Sequence, residues 1–357
     1  MDKSISSFFV KILIFIFGAF MILLVAETAI SPTVYTFRVW EALQRKSRLF
    51  IGPFYPNSKI SMLEQGGLAY YTKFAVEKPV MWQTDSFGYR NNSNPMNPKI
   101  ILLGDSFIAG SSLDQKDLLS VRLQNQIDKE VYNIAPGTIN DFIALRESKL
   151  FGSPELIILS VIERNLVKLR KINRESKIRY FNFRVNRCFT QIATVVDKIL
   201  RYNSISFLKA RLEGKKGTGY QSQNNPNQYF LRKNINNKSN LSYTKINNLV
   251  DILYQYKLYC ESINTDFLFM VIPNKSTIHW EDAGFINKPR NINKLNNALL
   301  EANIPFINVD SIVTQLNVSG GQPYHLDDTH WNGTSTHMIS IEISKVIAKV
   351  NFTHPYF

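Results

Sequence analysis

The sequence predicts an α/β fold, doubly wound about a mainly parallel five-stranded sheet, and three observations carry that prediction. Short uninterrupted apolar runs recur along its 357 residues. Stretches with helical periodicity separate them, the alternation expected of parallel strands joined by crossover helices. A hydrophobic content of 45% is enough for one substantial core plus an insertion.

Taken in order, the first run is 12–26, fifteen residues without a charge. Apolar character extends back across Lys11, whose ammonium can snorkel to an interface, so 1–30 reads as a signal anchor or transmembrane helix. A cleaved signal peptide is the rival, since Val25, Ala26, Thr28 and Ala29 are small. Either reading puts the remaining chain on the extracytoplasmic, periplasmic side of a cell membrane. Residues 31–95 are a connecting region, and 96–357 form the expected catalytic domain.

Within that domain the buried strands are expected at 99–103, 131–135, 156–161, 267–272 and, interrupted by Asn308, 305–309. Helices are expected at 118–127, 243–263, 292–302 and 335–350. The alternation breaks at about 164–240. Between 164 and 216, fifteen Lys and Arg face three acids, nearly the whole of the chain's net charge of +14. Phe189, Ile192, Val196, Ile199, Leu200 and Leu208 make an approximate helical stripe, so this is a basic, amphipathic helical insertion. Its cationic face is solvated, or touches anionic lipid, or touches an acidic polysaccharide; no nucleic acid is expected as a partner of an exported chain. The Asn-, Gln- and Ser-rich stretch 217–240 reads as a mobile loop. Cys188 and Cys260 lack metal-ligand spacing and are two buried thiols or one bridge.

Two stretches carry chemistry. The strand at 99–103 runs into Gly104-Asp105-Ser106-Phe107, which places Ser106 at the mouth of the sheet just before an expected helix. At the far end stands Tyr324-His325-Leu326-Asp327-Asp328-Thr329-His330-Trp331-Asn332-Gly333. A serine hydroxyl needs an imidazole to take its proton, and the imidazole needs a carboxylate to fix its tautomer. His330 is the candidate base; Asp328, or else Asp327, is the candidate acid. Metal binding by His325, Asp327, Asp328 and His330 is the competing reading of this loop. No glycine-rich nucleotide loop is present, and no cofactor is implied.

Together these blocks resemble the SGNH, or GDSL-type, superfamily of serine esterases and acyltransferases, over about 99–350 apart from the insertion. The resemblance implies that superfamily's flavodoxin-like sheet, with catalytic Ser106, His330 and Asp328. It also implies an oxyanion hole using Gly137, in Asn133-Ile134-Ala135-Pro136-Gly137, and either Asn165 or Arg164, in Ile162-Glu163-Arg164-Asn165, where the superfamily has Gly-x-Asn-Asp. Val271-Ile272-Pro273-Asn274-Lys275-Ser276-Thr277-Ile278 and Asp328-Thr329-His330-Trp331 resemble, as local motifs, envelope proteins that O-acetylate alginate and related exopolysaccharides. In those proteins the D-x-H block precedes the serine. The expectation is an esterase or O-acetyltransferase acting on an acylated cell-envelope polysaccharide, alone or with envelope polysaccharide assembly proteins. The alternative is a non-catalytic glycan-binding subunit of a polysaccharide modification complex. Lys275 could contact substrate or be a solvated lysine after a strand.

Overall fold

The structure is a computed structural model that describes residues 3–45, 51–94, 97–173, 187–201, 203–236 and 241–349. Five strands form one parallel sheet in the order Val131–Asn133, Ile100–Leu103, Leu156–Ile162, Asp266–Ile272, Phe306–Ile307. Numbered along the chain this is 2-1-3-4-5, a doubly wound order whose strand-order reversal lies beside the first strand. The strands are apolar at nearly every position because both faces are covered, with Ser160 and Asn133 buried as exceptions. Ile100 and Leu102 join one hydrophobic cluster, while Ile101 and Leu103 join the other. The same parity sends Leu268, Met270 and Ile272 to one side and Phe267, Phe269 and Val271 to the other.

Helices Leu119–Ile127, Val309–Val318 and Gly333–Lys349 contribute to the first cluster; Ile139–Glu147, Tyr243–Glu261 and Asn291–Glu301 contribute to the second. The last strand is shorter than its apolar run. Asn308 accepts the Ser311 N–H at 3.2 Å and caps the following helix, so the chain leaves the sheet there.

Residues before the first central strand pack into the same body. An antiparallel pair, Lys59–Glu64 with Lys78–Gln83, brings fully buried Trp82 against Trp40 and Phe54, with ring centroids 6.0 and 5.2 Å away. Arg90, also fully buried, lies over the Trp82 ring and donates to the carbonyls of Met81, Leu113 and Gly110. It thereby ties the hairpin to the loop that follows Ser106. Asn91 exchanges hydrogen bonds with the Asn133 backbone, at 2.9 and 3.0 Å.

Helix Lys3–Ala29 contains a segment, 6–29, long and apolar enough to cross a membrane, and most of its side chains are uncovered. The insertion contains helices Arg187–Arg201 and Asn203–Leu212, which pack against the end of that helix. There the Glu27 carboxylate accepts the Ser204 hydroxyl and N–H, at 2.7 and 3.1 Å. Of the expected stripe, Ile199 is buried, whereas Ile192, Val196 and Leu200 are exposed. The Phe189 and Cys188 side chains, with 174–186, 202 and 237–240, lie outside the described residues; Cys260 is a buried free thiol.

The described part of the stretch expected to be a mobile loop, 217–236, is instead held by backbone pairing. Gly217 and Gly219 donate to Tyr70 and Leu68, Tyr229 donates to Leu326, and Phe230 is fully buried. Its Asn- and Ser-rich composition carried no trace of these long-range partners.

Candidate active site

The strand Ile100–Leu103 ends at Gly104, which exchanges both backbone hydrogen bonds with Gly137, at 3.0 and 2.8 Å. A Cβ at Gly104 would stand 2.6 Å from Ile108 Cγ1, so the position admits no side chain. Asp105 then fixes the turn: one carboxylate oxygen accepts the Phe107 N–H and the other accepts Ile162 N–H from the neighbouring strand. Ser106 follows, half-buried, at the carboxyl edge of the sheet.

No regular helix begins at the serine, contrary to the sequence expectation. Residues 106–112 form consecutive turns, and Gly110 and Ser112 adopt φ values of +76° and +67°, which break a helical path. The next α-helix is Leu119–Ile127. The Ser106 N–H has no acceptor among the described residues and stays available to a ligand.

The His330 loop arrives at the same edge. An antiparallel bridge between Tyr324 and Trp331 closes it, His325 N–H donates to the His330 carbonyl at 3.1 Å, and Asn332 caps the last helix through the N–H groups of Thr334 and Ser335. Fully buried Trp331 seats the loop edge-on against Phe107, with centroids 5.5 Å apart. The His330 ring is 4.7 Å from the same phenyl ring.

His330 Nε2 lies 2.8 Å from Ser106 Oγ, and its Nδ1 lies 2.6 Å from Asp328 Oδ1. A carboxylate can only accept here, so it holds the proton on Nδ1 and leaves the Nε2 lone pair facing the hydroxyl. Burial works to raise the Asp328 pKa, but His330, Arg38 and Lys78 outweigh it and hold the carboxyl well below its usual range. Asp327 faces elsewhere, accepting the N–H groups of Gly66 and Val76 at 2.8 Å each. The two adjacent aspartates, ambiguous in sequence, thus have different partners.

Several supporting residues carried no motif. Asp328 Oδ2 accepts the Gly67 N–H at 2.6 Å and the Ser112 hydroxyl at 3.1 Å, with Arg38 Nη1 3.5 Å away. The stretch read as a connection therefore contributes Arg38 and Gly67 to the support of Asp328, and Gly66 to that of Asp327. A Cβ on Gly66 would meet the Asp327 carbonyl oxygen at 2.3 Å and its carboxyl carbon at 2.4 Å. Gly66→Ala is expected to push the base loop outward, destabilising the fold by about 2–3 kcal/mol. Calorimetry should show a fall in Tm of roughly 4–12 °C, together with reduced turnover.

Lys275 is neither solvated nor open to substrate. Its side chain is buried, and Nζ donates to the carbonyls of His325, Leu326 and Asp328 at 2.6, 2.7 and 3.3 Å, bracing the loop from beneath. Burial lowers its pKa to about 7, although Asp328, Asp327 and Asp282 favour the charge. In the unfolded chain this amine stays protonated to about pH 10.4. Between about pH 7 and pH 10 the unfolded state thus binds more protons, and stability gains up to about 1.4 kcal/mol per pH unit; below about pH 7 the penalty is complete. Urea unfolding across that window should show this rise in the native chain and its loss in Lys275→Met.

The expected oxyanion hole needs correction at Gly137. Its N–H is already donated to the Gly104 carbonyl at 2.8 Å, within the backbone bridge between the two glycines. The Asn133 side chain is also engaged, with Ile108 O and Ala135 N. Arg164 donates to Asn274 Oδ1 at 3.3 Å and lies over Phe107, 5.6 Å from the ring centroid. Asn165 lines the adjacent cavity with Arg164, with no described hydrogen bond to the serine turn. Ser106 N–H is without an acceptor among the described residues, and the Arg164 guanidinium stands over the ring of the residue that follows it. Among the described residues, no three His, Cys, Asp or Glu side chains converge to hold a metal ion.

No family model matches the chain, and no curated protein matches it. Among solved structures it is similar to a member of the lipolytic protein G-D-S-L family from Veillonella parvula. The identity is 8%, the TM-score 0.37, and 72% of this chain and all of that chain are covered. It is also similar to a Bacteroides fragilis structure bearing the name acylhydrolase, at 10% identity and a TM-score of 0.33. There the coverage is 72% of this chain and 88% of that one.

Proposed function

We propose that this chain is a serine-dependent acyl-ester hydrolase or O-acyltransferase of the SGNH type, acting on an acylated cell-envelope glycan. The observation that carries the reading is the unbroken line Ser106 Oγ, His330 Nε2, His330 Nδ1, Asp328 Oδ1, with separations of 2.8 and 2.6 Å at its two hydrogen bonds. Two remote stretches of sequence converge there, and each link has the donor and acceptor the chemistry requires.

In the proposed reaction Ser106 Oγ attacks the ester carbonyl carbon while His330 Nε2 takes the hydroxyl proton. The carbonyl π pair moves to oxygen, where Ser106 N–H and Arg164 stabilise it. Collapse breaks the bond to the leaving alkoxide, which receives the proton from His330, and the acyl group stays on Ser106. An incoming hydroxyl, deprotonated by His330, then takes the acyl group and returns Ser106 to its starting state. Water as the acceptor makes an esterase; a sugar hydroxyl makes an O-acyltransferase.

The glycan assignment is supported by the local likeness to polysaccharide-modifying proteins and by the apolar helix. In this reading the segment 6–29 anchors the chain in the membrane and the site faces the extracytoplasmic side. Lys275 contributes by holding the base loop, so the likeness around it bears on loop architecture rather than on substrate contact.

The full chain should release nitrophenol from a nitrophenyl acetate, and a fluorophosphonate should label Ser106. Adding an acetylatable oligosaccharide separates the outcomes: acetylated sugar marks a transferase, and acetate alone marks a hydrolase. Folded protein that binds the oligosaccharide but takes no fluorophosphonate would replace the enzymatic reading with that of a glycan-binding subunit.

A further inference from the structure

Over the carboxyl ends of strands Leu156–Ile162 and Asp266–Ile272 lies a cavity of about 960 Å³ whose lining, Arg164 apart, the mechanism does not use. Six lining residues are cationic: Arg164, Lys168, Lys233, Lys288, Arg290 and Lys294. Glu163 is the one acid of the lining, and it is occupied inside the fold. It accepts the Asn274 N–H at 3.0 Å and the Thr277 hydroxyl at 2.5 Å, and burial raises its pKa. It therefore does little to neutralise the six cations.

Nor do most of the cations have local counter-charges. Lys288 pairs with Asp310 at 3.0 Å, and Lys294 stands over the Tyr243 ring. Lys168, Lys233 and Arg290 have no carboxylate partner among the described residues. Lys168, Lys233 and Arg290 are exposed and Arg164, Lys288 and Lys294 partly buried, so like charges repel across one concave surface and their fields add there.

The cavity also connects to the nucleophile. Arg164 touches both Asn274 on its wall and the ring of Phe107, the residue after Ser106. Phe107 in turn lies against His330. Arg164 is thus the side chain shared between the cavity wall and the serine turn.

We infer that this cavity is an anion-binding subsite, taking a carboxylate- or phosphate-bearing arm of the substrate beside the ester. Its placement relative to the ester rests on the serine-acyl reading; its affinity for anions does not. The two are separable in the full-length Ser106→Ala protein, which keeps the cavity and loses the nucleophile.

That protein would be titrated calorimetrically with trigalacturonate, with tripolyphosphate and with uncharged maltotriose, at low and at physiological salt. The inference expects at least one anionic probe to bind, maltotriose to bind at least about tenfold more weakly, and added salt to weaken the anion. Exchange of Arg290→Gln and Lys294→Gln together should weaken the anion at least about tenfold again. Trigalacturonate binding alone identifies a uronate-type arm, and tripolyphosphate binding alone identifies a phosphate-type arm. Equal binding of maltotriose, binding of neither anion, or indifference to the double exchange in a protein of unchanged Tm overturns the inference. Fluorophosphonate labelling of the native chain reports separately on the serine.

Discussion

Ser106→Ala is expected to lower turnover of an activated acetyl ester by about 10⁴- to 10⁶-fold and to abolish fluorophosphonate labelling. The loss is that large because the nucleophile and its base act as one unit; without the hydroxyl, the positioned imidazole has nothing to deprotonate but water. Stability should hardly change. Ser106 Oγ has one described side-chain partner, His330, and the turn around it is held by Asp105 and by backbone bonds. A shift within about 0.5 kcal/mol is expected from urea unfolding. Turnover retained within tenfold, in protein folded as the native chain, would place the nucleophile elsewhere and remove the proposed mechanism.

The parts of this arrangement that sequence discloses are those governed by local rules. A strand buried on both faces is apolar at nearly every position, so the runs at 99–103, 156–161 and 267–272 announce themselves. Ser106 and His330 are legible because strand ends of a doubly wound sheet converge on one edge. Support from remote segments has no such signature. Gly67 reaches Asp328, and Arg90 reaches Gly110 and Leu113, through contacts that no spacing rule encodes. Lys275 misleads for a related reason: a lysine after a strand is ordinarily solvated, and only the folded loop supplies the three carbonyls that bury it. Gly137 shows the converse, since its motif indicates a free N–H and the bridge to Gly104 has consumed it. The cationic cavity gathers residues from 163–168, 231–234 and 274–294, with Leu241, and becomes visible as one surface only in three dimensions.

Asp328→Asn is the exchange that tests the support of the base most severely, because the amide has both a donor and an acceptor end and every neighbour of the carboxylate is a donor. Oδ1 receives His330 N–H and faces Nδ1; Oδ2 receives Gly67 N–H and Ser112 Oγ–H, with Arg38 beyond. Turned one way, an asparagine keeps an oxygen toward His330 and opposes its NH₂ to Gly67, Ser112 and Arg38. Turned the other way, its NH₂ meets Nδ1, the proton moves to Nε2, and the lone pair that should accept from Ser106 is gone. The first orientation costs stability and the second costs catalysis. Turnover should fall by about 10⁴-fold where the second prevails, and losing the buried charge beside Arg38 should lower stability by about 3–5 kcal/mol. Linkage gives the pH range: a carboxylate with a strongly depressed pKa contributes fully above its unfolded value near 3.9 and keeps contributing until pH falls through the folded value. The stability gap between native and variant protein should therefore be constant across neutral pH and narrow only in strong acid. Activity within tenfold of native at neutral pH would show that His330 needs no carboxylate on Nδ1, and a gap that closes above about pH 5 would show that Asp328 is not held charged by its neighbours.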